Sequence, residues 1–122
     1  MRKPTDAELA ILRVLWSEGP STVRQVVDRL GRETGYTTTL KLLQIMTEKG
    51  LVVRDERSRT HVYEAASSEA QTQRTLVADL LKRAFGGSAA KLVMQALASQ
   101  KTSPAELAEI KRFLDRKRGG SK

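Results

Sequence analysis

The apolar residues of this chain keep a helical spacing through roughly the first fifty positions and then switch to alternation. That one change of period, set between sharp breakers, leaves few folds open. Thr5-Asp6-Ala7-Glu8 reads as a capping box, with Thr5 accepting from the amide three residues on and Glu8 reaching back. The helix behind it carries Leu9, Leu12 and Trp16 on one stripe, widened by Ile11, Val14 and Leu15, and stops at Glu18-Gly19-Pro20. Ser21 is expected to cap a second helix with Val23, Val26, Val27 and Leu30 at helical spacing, bracketed at its end by Gly31 and Gly35. Tyr36-Thr37-Thr38-Thr39 opens a third, which runs to Lys49-Gly50. Leu51-Val52-Val53-Arg54 has strand character, Asp55-Glu56-Arg57-Ser58-Arg59 is a polar turn, and Thr60 to Ala65 alternates as a second strand. Three helices closed by a two-stranded ribbon is the plan of a winged helix-turn-helix.

Beyond Ser67-Ser68 the pattern is wholly helical. Leu76, Val77, Leu80 and Leu81 form one stripe with Ala84 and Phe85, and Gly86-Gly87 ends it. Ser88 starts another helix, carrying Leu92, Val93, Ala96 and Leu97. Ser103-Pro104-Ala105-Glu106 is a third start, followed by Leu107, Ile110 and Leu114 with Phe113 beside them. Three such helices have too little apolar surface to stand alone as a domain. Their stripes need a partner, and the same segment of a second chain is the expected one. The expected fold is therefore mostly α with a small β-hairpin. A winged helix-turn-helix domain over residues 1–68 precedes a helical dimerisation region over 69–122 that ends in a basic tail.

Charge and composition narrow the function. The chain holds 22 Lys+Arg against 14 Asp+Glu, a formal net charge of +8, which points to a polyanionic partner. The excess is uneven: residues 1–65 hold 11 basic and 9 acidic side chains, so +2, and residues 66–122 hold 11 and 5, so +6. Part of the second value is the tail Lys111-Arg112, Arg116-Lys117-Arg118 and Lys122, which a frayed, solubilising end would also explain. A case for nucleic acid must rest on where particular residues fall. With no Cys there is no disulfide, thiolate metal site or cysteine nucleophile, and one His cannot build a histidine-rich metal site. No nucleophile–base pair or phosphate-binding glycine loop is present, so neither an enzyme nor a cofactor is expected. Charges interrupt every long apolar run, and Met1-Arg2-Lys3-Pro4-Thr5-Asp6 has no apolar stretch behind it. No membrane insertion and no secretory signal are expected; the expectation is a cytoplasmic protein.

At 100° per residue the third helix sorts into two faces. Thr39, Leu42, Leu43 and Met46 cluster on one, flanked by Leu40 and Ile45. Thr37, Lys41, Gln44 and Glu48 fall opposite, with Thr38 beside them. Hydroxyl, ammonium and amide groups suit base edges and phosphates, and this is the helix that enters the major groove in helix-turn-helix proteins. Thr37, Thr38, Lys41 and Gln44 are therefore the candidates for groove contacts. Arg57 and Arg59 in the turn between the strands are wing candidates for phosphate, and Arg24 in the second helix is a further one. Asp55 and Glu56 stand beside the wing arginines and are placed to pair with them, so a solvated tip and a DNA-contacting one both fit. Trp16, Met46 and Tyr63 are expected in the core.

These residues carry a resemblance. Pro4-Thr5-Asp6-Ala7-Glu8 with Val14-Leu15-Trp16, then Tyr36-Thr37-Thr38, Leu40-Lys41, Leu43-Gln44-Ile45-Met46 and Lys49-Gly50-Leu51-Val52, is similar to the penicillinase-repressor family of the BlaI/MecI/CopY type. The likeness continues through Gly86-Gly87 and Leu92-Val93-Met94 to the last helix. It implies a homodimeric transcriptional repressor on a palindromic operator of TACA/TGTA type, acting in a response to β-lactams or envelope stress. It also implies dimerisation through the C-terminal helices, for which the stripes supply Leu76, Val77, Leu80, Leu81, Leu92, Val93, Leu97, Leu107, Ile110 and Leu114. In the β-lactam branch a membrane sensor protease triggers cleavage at an Asn-Phe bond in the penultimate helix. Gln95-Ala96 stands at the matching place, with both residues replaced, so the expectation is a protease of different specificity or no cleavage. The copper branch binds metal through C-terminal cysteines, which this chain lacks, and no metal is expected. The rival from another class is a winged-helix protein-interaction module that never reads DNA, favoured by the near-neutral first half.

Overall fold

A computed structural model describes residues 3–31 and 34–120. Met1, Arg2, Arg32, Glu33, Ser121 and the tail's Lys122 lie outside the described residues. The elements run α1 (Asp6–Glu18), β1 (Ser21–Thr22), α2 (Val23–Leu30), α3 (Tyr36–Lys49), β2 (Val52–Asp55), β3 (Val62–Ala65), α4 (Glu69–Ala84), α5 (Ala89–Ser99) and α6 (Pro104–Gly120). They divide into two compact units, residues 1–77 and 78–122.

The starts of α1, α2 and α4 are set by reciprocal caps. Glu8 N–H donates to Thr5 Oγ1 at 3.2 Å, and the Thr5 amide donates to Glu8 Oε1 at 2.9 Å. The second helix starts one residue later than its sequence suggests. Its cap is Thr22, which accepts from the Gln25 amide at 3.2 Å while Gln25 Oε1 takes the Thr22 N–H at 2.8 Å. Ser21 has Arg24 three residues on, a side chain that cannot accept and so cannot complete a box. Ser21 is instead buried in β1 and donates to the Gly19 carbonyl at 2.8 Å. Ser68 and Gln71 form a third reciprocal pair at the start of α4.

The ribbon gains a strand. β1 pairs with β3, so the antiparallel sheet has the order β1-β3-β2, with Tyr63 opposite both Ser21 and Arg54. At the α3–β2 junction Gly50 sits at φ +80 and the Leu51 amide donates back to the Met46 carbonyl at 2.9 Å. A left-handed glycine there turns the chain from helix into strand within one residue.

The core of the first unit is Ile11, Leu12 and Leu15 from α1, Val23 and Val26 from α2, Leu43 and Met46 from α3, with Leu51, Val52 and Tyr63 from the sheet side. Trp16 is half-buried, and its indole N–H donates to the Ser67 carbonyl at 2.9 Å, holding the approach to α4 against α1. Thr72, in the first turns of α4, is also buried. On α3, Ile45 departs from the expected flanking position and is 37% exposed. It lies about 120° round the helix from the centre of the buried stripe, next to Lys41.

Two polar groups in this core decide different things. Glu8 is 2% exposed, and its carboxylate accepts Lys49 Nζ at 2.7 and 3.0 Å, joining the start of α1 to the end of α3. Burial pushes the Glu8 carboxyl up, but the hydrogen bonds from Lys49 and Thr5 and the ammonium charge outweigh it, leaving its pKa below the ordinary value. Thr39 Oγ1, by contrast, is buried with no partner among the described residues.

Because the Glu8 pKa is lowered on folding, its contribution is complete above the ordinary carboxylate range. It is lost as pH falls through the lowered value. Glu8→Ala should cost about 3 kcal/mol near neutral pH, the low end for breaking a buried pair, since Lys49 keeps a solvent edge. Urea titrations near pH 7 and again near pH 3 check both statements, the gap between variant and parent shrinking in acid. Thr39→Val keeps the shape and removes the unpaired hydroxyl. It should raise stability by about 1 kcal/mol, read as a higher Tm.

Candidate nucleic-acid interface

α2 and α3, joined across Gly31–Gly35, pack on α1 as a helix-turn-helix, and β2–β3 forms a wing behind them. The buried stripe Thr39, Leu43 and Met46 fixes which way α3 faces. Thr37, Thr38, Lys41, Gln44 and Glu48 are all exposed on the other side. The side chains of Thr37, Thr38, Lys41 and Gln44 meet no hydrogen-bond or ion-pair partner among the described residues, so their polar groups remain available to a ligand.

The wing is less basic than its sequence. Arg57 lies back on Asp55, its Nε at 3.0 Å from Oδ1 and its terminal nitrogen at 2.7 Å from Oδ2. The Arg57 guanidinium, then the Arg57 amide, hold the Asp55 pKa down at about 2, so the pair stays ionised at any working pH. Arg54 takes Glu56 in the same way at 3.0 Å, and His61 Nε2 lies 4.0 Å from the other Glu56 oxygen. An exposed pair of this kind is weak and exchangeable, yet it cancels the local field. Arg59 is the wing cation with no carboxylate against it among the described residues.

Arg24 stands apart from the rest of its helix. Its guanidinium lies 5.1 Å from the centroid of the Tyr36 ring, a cation–π stack between the second position of α2 and the first of α3. The structure thus brings Arg24, Tyr36, Arg59 and His61 to the edge of one cavity, and turns Arg57 away onto its own aspartate. In the sequence Tyr36 stands out only as a helix start. A contact between the starts of two different helices leaves no periodic signal to find it by.

Of the residues expected at a dimer face, Val77, Leu80, Val93, Leu107 and Leu114 are exposed, and Leu76, Leu81, Leu92, Leu97 and Ile110 are half-buried. Met94 and Phe113 are exposed beside them. No residue of α5 and no described side chain of α6 is buried. Gln95 and Ala96 are exposed in the interior of α5. Among the described residues no helix is long and apolar enough to cross a membrane, and no group of three His, Cys, Asp or Glu could hold a metal ion.

Comparison with known proteins agrees with this architecture. The sequence profile of the penicillinase repressor family matches residues 4–116. The transcriptional regulator BlaI of Mycobacterium tuberculosis, in two strains, is 35% identical over 82 residues, 65% of this chain. The match spans 59% of the length of those relatives. With a family profile running almost end to end over a helix-turn-helix, a wing and a helical C-terminal region, the chain belongs to the penicillinase repressor family.

Proposed function

We propose that the chain is a transcriptional repressor that binds duplex DNA as a homodimer, through α3 in the major groove of each half of a palindromic operator. The observation that carries this reading is the outer face of α3. Four polar side chains, Thr37, Thr38, Lys41 and Gln44, are exposed and unpartnered among the described residues, on a helix whose other face is locked in the core. The operator proposed is of TACA/TGTA type, with a role in a response to β-lactams or envelope stress, both taken from the family resemblance. The site of action is the cytoplasm, where the operator would be.

Dimerisation would use the C-terminal helices over residues 69–122, and the DNA-binding part would be residues 1–68. The support is the row of exposed apolar side chains on α4, α5 and α6 with no core of their own. Release from DNA by a membrane sensor's protease would require cutting near Gln95-Ala96. That bond lies inside α5, so the helix would have to open locally before it entered a protease cleft. With Ala96 in place of the family's large anchor, a protease of other specificity or release without cleavage fits better.

The rival reading, a protein-docking module, draws on the self-neutralised wing and the +2 charge of residues 1–65. Salt separates the two. Operator binding should weaken steeply with salt and still discriminate sequence.

Lys41→Ala should lower operator affinity by about 1–3 kcal/mol if Lys41 reads a base edge, with circular dichroism unchanged. Parent-like affinity in Lys41→Ala, Thr37→Ala and Thr38→Ala alike would overturn the assignment of α3. Leu80 is 47% exposed on α4, so Leu80→Asp leaves the single chain able to fold but places an unpaired carboxylate in the proposed interface. Sedimentation should then find a monomer that holds one half-site. A parent chain that is itself monomeric at micromolar concentration would refute the dimer.

A further inference from the structure

The wing, the start of α2 and the start of α3 border an open cavity of about 280 Å³ that the groove contacts proposed for α3 leave unused. It is bordered by Arg24, Tyr36, Arg59 and His61, with Leu40 and Tyr63 among its walls. That volume lies at the low end of the roughly 300–1,000 Å³ of a small-molecule site and has room for a single anionic group. Its chemistry is cationic. Asp55 is taken by Arg57 and Glu56 by Arg54, while Arg24 and Arg59 have no carboxylate against them among the described residues. Arg24 is also held in place, because its guanidinium is stacked on the Tyr36 ring. A planar cation kept by stacking leaves its N–H edge free for an anion and loses little freedom on binding. Among the described residues no side chain caps the α3 amides that begin beside the cavity at Tyr36.

We propose that this cavity seats one backbone phosphate of duplex DNA, gripped between Arg24 on its Tyr36 platform and Arg59 from the wing. The proposal rests on the DNA-binding function proposed for α3 and adds a grip on the backbone to it. Arg24 and Arg59 would fix the position of α3 along the duplex without reading sequence, and Tyr36 would be a positioning residue acting through Arg24.

The experiment measures affinity against salt for the full-length chain on two duplexes, one carrying TACA and TGTA half-sites and one scrambled. Arg24→Gln and Arg59→Gln should each weaken both duplexes by about the same factor. The slope of log affinity against log salt should become shallower by about 0.9 for each phosphate that is no longer neutralised. Tyr36→Ala should weaken binding in the parent but add nothing once Arg24 is Gln, a non-additivity that a merely structural role would not produce. Unchanged slopes in Arg24→Gln and Arg59→Gln, with the parent still binding the half-site duplex, would overturn the phosphate seat and leave the DNA reading standing. Weakening confined to the half-site duplex would make these residues base readers and overturn it as well. A parent that binds neither duplex would remove both readings. Saturable binding of inorganic phosphate that DNA does not displace would assign the cavity to a free anion, again against the proposal.

Discussion

The Glu8 carboxylate is the point on which the first unit turns. It accepts the Thr5 amide, closing the cap of α1, and reaches across to Lys49 at the last turn of α3. Two elements far apart in sequence are tied at one buried charge. Breaking such a tie leaves an ion without a partner in a low-dielectric interior, so it cannot be loosened by degrees. α3 is thereby held at its end by Lys49, while Leu43 and Met46 pack its inner side into the core and Gly50 bends the chain into β2. Once those are in place the direction of its outer face is no longer adjustable. The exposed Thr37, Thr38, Lys41 and Gln44 inherit that rigidity, which the groove contacts proposed for them would need.

Charge count and electrostatic surface come apart in the wing. Its turn and strand ends hold Arg54, Arg57 and Arg59 against Asp55 and Glu56, and the acids are satisfied at home. What remains outward is not a diffuse basic patch but Arg59, near Arg24. A few oriented cations supply position, whereas a spread of them would supply only non-specific attraction. The modest +2 over residues 1–65 is therefore compatible with DNA binding, provided that specificity is carried by α3.

The second unit follows a different rule. Its helices are well capped, with Ser88 and Ser103 each accepting from an amide three residues on. Yet they bury almost nothing, and Val93, Met94, Leu107, Phe113 and Leu114 remain open. Capping contributes roughly a kilocalorie per helix, too little to hold short helices without a packed face. Local signals define these helices, and the proposed dimer would cover the apolar faces that they leave open.

Most helix boundaries were determined by the sequence alone, because caps and breakers act over three or four residues. Thr5 with Glu8, Gly50 and Ser103-Pro104 are read where they stand, and the buried stripe of α3 follows from its period. Thr22 with Gln25 was equally legible, since only that pair offers an acceptor at the third position. β1 was not, because two residues carry no alternation; it exists only where β3 supplies the partner. Glu8 looks like an ordinary acidic first-turn residue until α3 brings Lys49 to it. Ile45 belongs to an apolar composition but lies on an outward angle, and Arg24 and Tyr36 meet only because α3 packs against α2. Arg57 and Arg59 are alike in sequence, and the bend of the wing separates them, pressing one onto Asp55 and leaving the other open. The sequence determined what is local, since those energies depend on neighbours along the chain. Tertiary structure decided every pairing across it, because the sign and partner of a long-range contact exist only after the chain has closed on itself.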